Sequence, residues 1–242
     1  MILANVRQQL TRDDAQLALR LVARGSAEVY EHAEGALRNN GIDALLDDPR
    51  LLPALLNSRQ GAHASFRLFA YVVVRNALRD VQETDRGIAD YVASILVHFG
   101  VQQRARRIAD ADDEVYDTLS GLLGDVDRGD PTRMFLARAH LGNYALWLSG
   151  LYPDFIEQRR WRRGGPDMDY FDEMGKRGYE LAAQHRLAAQ YGLEELYTAA
   201  AERFPRLRLA LNRVSDTMLF PSKHSPERLM RQVRDEQRWI ES

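Results

Sequence analysis

The sequence predicts an all-α fold: a multi-helix array or bundle of about nine or ten helices around a central apolar helix. Three observations carry that expectation. Helix starts and stops punctuate the 242 residues from end to end. No strand-like segment alternates with helices, and no Asn-Gly hairpin joins two apolar runs. One segment, residues 131–152, carries no charge beyond its first two turns, as expected of a helix enclosed by others.

Thr11, with Asp14 three residues later, reads as a capping-box start in which Asp replaces the usual Glu. The helix it opens runs through Leu17, Leu21, Tyr30, Ala33 and Leu37, bends at Gly25-Ser26 and stops at Asn40-Gly41. Asp48-Pro49 supplies an N-cap and a first-turn proline for a short helix through Leu56. A third helix covers 62–81, where Phe66, Phe69, Val73 and Leu78 fall near helical spacing, although the run 71–74 alone suits a strand. A fourth starts at Thr84-Asp85 and ends at Gly100. Within a chain read as a single domain over 1–242, the polar, arginine-rich segment 101–111 is the place for a subdivision. A helix over 112–123 and a loop over 124–130 follow, then the central helix, opened by Asp130-Pro131 and closed by Tyr152-Pro153. Beyond a loop centred on Gly164-Gly165-Pro166 come helices over 169–190, 193–203 and 205–219.

Ser225-Pro226-Glu227 starts an amphipathic C-terminal helix, 225–242. Leu229, Met230, Val233, Trp239 and Ile240 form its apolar stripe, and Arg228, Arg231, Arg234, Asp235, Glu236 and Arg238 occupy the remainder. Such a stripe is expected to be buried, against its own domain or against a second subunit.

Composition narrows the function classes. With 45% apolar and 28% charged residues the chain is globular, and a net charge of −2 gives no general attraction to nucleic acid or to an anionic membrane. Without cysteine there are no disulfides, zinc–thiolate sites, iron–sulfur clusters or thiol nucleophiles, which fits a reducing compartment. The N-terminus reads as no signal peptide, and the longest uncharged run, 139–153, is shorter than the roughly 20 apolar residues of a membrane span. A cytoplasmic, bacterial-type protein is the expectation.

On a helical wheel of the central helix, His140, Asn143, Tyr144 and Trp147 converge on one side. In a core, the two polar members need hydrogen-bond partners, since an unpaired buried polar group costs roughly 1–3 kcal/mol. These four residues are the candidate ligand-binding set, the wall of an aromatic-lined pocket. The alternative is a polar network that fixes helix packing, which the sequence favours.

The stretch Leu141-Gly142-Asn143-Tyr144-Ala145-Leu146-Trp147-Leu148-Ser149-Gly150-Leu151-Tyr152-Pro153, followed by Asp169-Tyr170-Phe171-Asp172-Glu173-Met174-Gly175 and Tyr179, resembles a pattern of uncharacterised bacterial helical proteins. Their first segment reads Gly-Asp, then Ala-Leu-aromatic-Leu-Ser-Gly-aromatic-aromatic-Pro, and their second contains Tyr-Tyr-x-x-Met-Gly-x-x-Ala-Tyr. The resemblance spans roughly a sixth of the chain and implies no activity. Asn143 stands where the pattern has aspartate and Gly178 where it has alanine. Asn143 cannot act as a general base, because an amide does not titrate in this range.

Familiar catalytic motifs are missing. None of His32, His63, His98, His140, His185 and His224 follows an acid by three residues, and no two lie four apart. Glu28 and His32 share a helical face but read as an ordinary surface pair. No metal and no cofactor is expected. The cluster Arg159-Arg160-Trp161-Arg162-Arg163 suggests a phosphate contact, yet acids outnumber bases between Asp154 and Lys176, so it reads as an internally neutralised loop or packing edge, with nucleic acid an unlikely partner. The leading functional expectation is a helical interaction or regulatory protein that pairs as a homodimer or engages a protein partner. A small-molecule-binding protein or enzyme with its pocket beside the 131–152 helix is the alternative, and a nucleic-acid-associated regulator comes third.

Overall fold

Thr11 caps the first helix in both directions. Its hydroxyl accepts from the Asp14 N–H, the Asp14 carboxylate accepts from the Thr11 N–H, and α1 (Arg12–Ala23) follows. The expected bend at Gly25-Ser26 is a full break. Arg24 (φ 48°) and Gly25 (φ 82°) are both left-handed, and Ser26 starts a separate helix, α2 (Ala27–Asn40), by accepting from the Val29 N–H. Next come α3 (Asp43–Leu46), α4 (Leu51–Asn57), α5 (Phe66–Asp80, capped by Ser65) and α6 (Arg86–Phe99). The computed structural model describes residues 1–100, 104–108, 115, 116, 118–127 and 129–241, with side chains as far as Glu236. Among these residues the chain is all-α, with fourteen α-helices and no strand.

The chain divides into two compact units, Ile2–Val97 and His98–Ser242, Met1 grouping with the second. The segment 101–111 lies largely outside the described residues. In the first unit α5 is buried along most of its length, from Leu68 to Leu78. Ion pairs tie its edges: Arg7 grips Asp43 through both carboxylate oxygens at 2.9 and 3.0 Å, and Asp47 bonds both Arg75 and Arg86.

The second unit contains α7 (Leu119–Leu123), α8 (Pro131–Leu151), α9 (Pro153–Arg163), α10 (Met168–Ala183), α11 (Arg186–Gln190), α12 (Glu194–Glu202), α13 (Phe204–Val214) and α14 (Pro226–Glu241). The helix expected over 112–123 is short in its described part. Val115 and Tyr116 are not helical, Thr118 caps α7, and 112–114 and 117 lie outside the described residues. Residues 153–163, expected to be a loop or edge, form α9. Pro153 opens it, Gly164 (φ 62°) closes it, and Arg160, Arg162 and Arg163 in its last turn favour the negative end of the helix dipole. The expected 169–190 helix is split because His185 accepts the Leu187 N–H at its Nδ1 and so caps α11. The 205–219 helix is α13 plus a π turn at Ser215–Leu219.

The central helix is where the sequence places it. α8 packs against α10 and α13, and glycine makes the first contact close. A Cβ on Gly178 would stand 2.6 Å from the Gly142 nitrogen, and one on Gly142 would meet the Tyr179 ring at 2.5 Å. The last carbonyls of α8, which have no partner within their own helix, are capped by α13 and the turn after it: Asn212 Nδ2 donates to Ser149 O (2.7 Å) and Gly150 O (2.8 Å), and Ser215 Oγ to Leu151 O (2.8 Å).

Candidate functional site

Three of the four residues expected at a pocket wall form one aromatic row. His140 stacks on Tyr144 with ring centroids 6.0 Å apart, and Tyr144 on Trp147 at 6.1 Å. Phe99 meets the edges of both His140 (5.5 Å) and Trp147 (5.9 Å), and Tyr152 closes the row on Trp147 at 4.9 Å. Asn143 turns away from the row: its Oδ1 accepts a hydrogen bond from the Tyr179 hydroxyl of α10 at 2.9 Å. His140, Asn143 and Tyr144 are buried, whereas Trp147 is half-buried. Each side chain is engaged in packing of the kind that fixes neighbouring helices.

The two segments that carry the family-like pattern therefore meet in space. Gly142 admits the Tyr179 ring, Gly178 admits the α8 backbone, and Asn143 receives the Tyr179 hydroxyl. The pattern has a packing explanation that runs from sequence to helix crossing.

The C-terminal helix departs from expectation most sharply: α14 sits with its charged face inward. Arg228 and Arg231 are 3% and 2% exposed, while Leu229, Met230 and Val233 are 57%, 54% and 54% exposed. Trp239 and Ile240 lie outside the described side chains. The described part of the apolar stripe is thus not buried in its own unit, contrary to the rule that an amphipathic helix turns its apolar face inward.

Matched charges explain the inversion. Arg228 donates to Asp154 at 2.7 and 3.0 Å and to the carbonyls of Phe220 and Lys223, both at 2.8 Å, which fastens the connector before the helix. Arg231 donates to Asp216 at 2.7 Å and to Asp154 at 3.4 Å, and Arg234 to Glu157 at 2.7 Å. Asp235 faces Arg208 at 3.5 Å; Arg208 in turn donates to Asp172 (2.7 Å) and to Asn212 (3.0 Å), which caps α8. An ionic network thus runs from the end of the central helix to the inner face of α14. Sequence reasoning missed it, although Asp154 and Glu157, three apart on α9, match Arg228, Arg231 and Arg234 at helical spacing on α14.

Among the described residues no three histidine and carboxylate side chains are placed to hold a metal ion, and no helix is long and apolar enough to cross a membrane. Glu28 and His32 are both exposed on α2. Comparison with known protein families, curated proteins and solved structures finds no match.

Proposed function

We propose that this chain is an interaction protein and that it pairs with a second copy of itself through the outer face of α14. The inverted seating of that helix carries the reading. A helix held by its charged face presents Leu229, Met230 and Val233 to solvent, and an exposed apolar stripe on a well-anchored element is a docking surface. An apolar face is complementary to its own copy, and a two-fold pair buries the same stripe on both protomers.

Area sets what such a pair requires. The three side chains leave roughly 100 Å² each in water, so two stripes bury about 600 Å², half of the roughly 1,200 Å² at the low end of stable interfaces. Phe155 and Trp161 of the adjoining helix α9 and Leu219 of the π turn are also exposed and belong to the same unit. A stable pair therefore needs further contact of this unit beside the stripe.

Sedimentation equilibrium on the full chain tests the reading, with Leu229→Glu/Val233→Glu as the variant. A dimer mass for the parent and a monomer mass for the variant, at equal melting temperature, is the expected result. A parent that stays monomeric at high concentration assigns the stripe to a different protein and overturns self-pairing.

A further inference from the structure

The first unit holds a groove of about 990 Å³ where the end of α1, the start of α2 and the end of α4 come together. That volume is at the upper end of the range for small-molecule sites, roughly 300–1,000 Å³. Its walls combine two chemistries. Leu21, Pro53 and Tyr30 line it together with three arginines, Arg20, Arg24 and Arg59.

The three arginines have no carboxylate partner of their own. In this unit Arg7, Arg38, Arg50, Arg75 and Arg86 each pair with an acid, whereas Arg67 donates to Gln9 and Arg79 to the Asp47 carbonyl. Arg20, Arg24 and Arg59 have no carboxylate within 4.0 Å among the described residues. The charge of Arg24 is felt at Asp48, but Asp48 is already held by Arg50 at 2.6 and 2.9 Å. Within the groove wall Glu31 is the single acid, so three positive groups face one negative one. Such a concave surface concentrates anions.

Arg24 is the left-handed C-cap of α1 (φ 48°), a conformation that glycine adopts freely and residues with a Cβ disfavour.

We propose that this groove binds a small amphipathic anion: a carboxylate or phosphate monoester attached to an apolar body of several carbons. The guanidinium groups take the anionic head in charge-assisted hydrogen bonds, and the Leu21, Pro53 and Tyr30 wall takes the body. The site lies wholly in the first unit and does not depend on self-pairing through α14.

Calorimetric titration of the full chain tests this with octyl phosphate, octanoate, octan-1-ol and inorganic phosphate, each below its aggregation limit. The two amphipathic anions are expected to bind, and the alcohol and inorganic phosphate to bind at least about tenfold more weakly, since losing a charge-assisted bond or the apolar burial each costs that much. Arg24→Gly relaxes the backbone as it removes the guanidinium, so it should keep or raise the melting temperature while weakening octyl phosphate about tenfold or more. Arg59→Gln should weaken it likewise. Octanol binding as well as octanoate, or both variants binding octyl phosphate like the parent, overturns the proposal. Cosedimentation with phosphatidate-containing vesicles but no binding of monomeric octyl phosphate would move the ligand to a bilayer and overturn the small-molecule assignment.

Discussion

Asn143 shows why an amide rather than an acid suits the centre of α8. Its Oδ1 accepts from the Tyr179 hydroxyl, and at 3% exposure a carboxylate there would have to keep its charge away from water. Asn143→Asp is therefore expected to destabilise the protein by about 1–3 kcal/mol at neutral pH. Burial would raise the new carboxyl above its unfolded pKa, so the folded state would hold the proton more tightly, and the penalty should shrink as pH falls. Denaturant titrations at pH 7 and pH 5 check this, and a penalty that does not change with pH would sink the explanation. The wheel brought His140, Asn143, Tyr144 and Trp147 together because it reports direction around one helix. It does not report which neighbour lies in each direction: Phe99 lies against His140 and Trp147, and Tyr179 against Asn143.

At the scale of the element, local signals located most helices and tertiary pairing decided the rest. Capping residues at Thr11 and Asp130 and the stop at Asn40-Gly41 mark true ends. The His185 cap inside a continuous helical pattern left no such mark, and α9 was hidden by its arginine run. The orientation of α14 was not legible from its own periodicity, because the face that turns inward depends on acids brought in by α9 and the π turn. A direct comparison follows from that geometry. Arg231→Met should cost about 1–3 kcal/mol, since it removes one cation from Asp154, Asp216 and Asp235 while Arg228 still reaches the first two and Arg208 the third. Leu229→Ala, on the outer face, should cost no more than about 0.5 kcal/mol at concentrations where the chain is monomeric. Chemical denaturation of both variants tests the seating of the helix, and the reverse order of costs would put the apolar stripe inside.

Across the whole molecule, the buried titratable groups of the first unit set an acid and an alkaline limit to stability. Burial works to raise Asp14 and Asp47, yet hydrogen bonds from Thr11 and Ser65, and from Arg75 and Arg86, outweigh it and hold both below the usual carboxylate value. The hydrogen bond from Arg50 is the main cause that lowers Asp48. The stability these three groups add is present above the unfolded carboxyl pKa and is lost as pH falls through their folded values. Asp90, raised by burial, acts in the opposite sense but is one group against three. Tyr71 contributes on the alkaline side. Burial pushes its phenol from 10.0 up to about 12, against the opposing charge of Arg7, so its contribution is intact below pH 10 and is lost as pH rises toward 12. A displacement of that size corresponds to about 3 kcal/mol once the unfolded state is fully ionised. Tyr71→Phe isolates this effect, because the hydroxyl is buried with no hydrogen-bond partner among the described residues and its removal should be close to neutral at pH 7. In thermal unfolding followed by circular dichroism, the melting temperature should be flat from about pH 5 to 9 and should fall on both sides. At pH 11 the Phe variant should melt above the parent, and an equal alkaline fall in both proteins would show that Tyr71 does not set that limit.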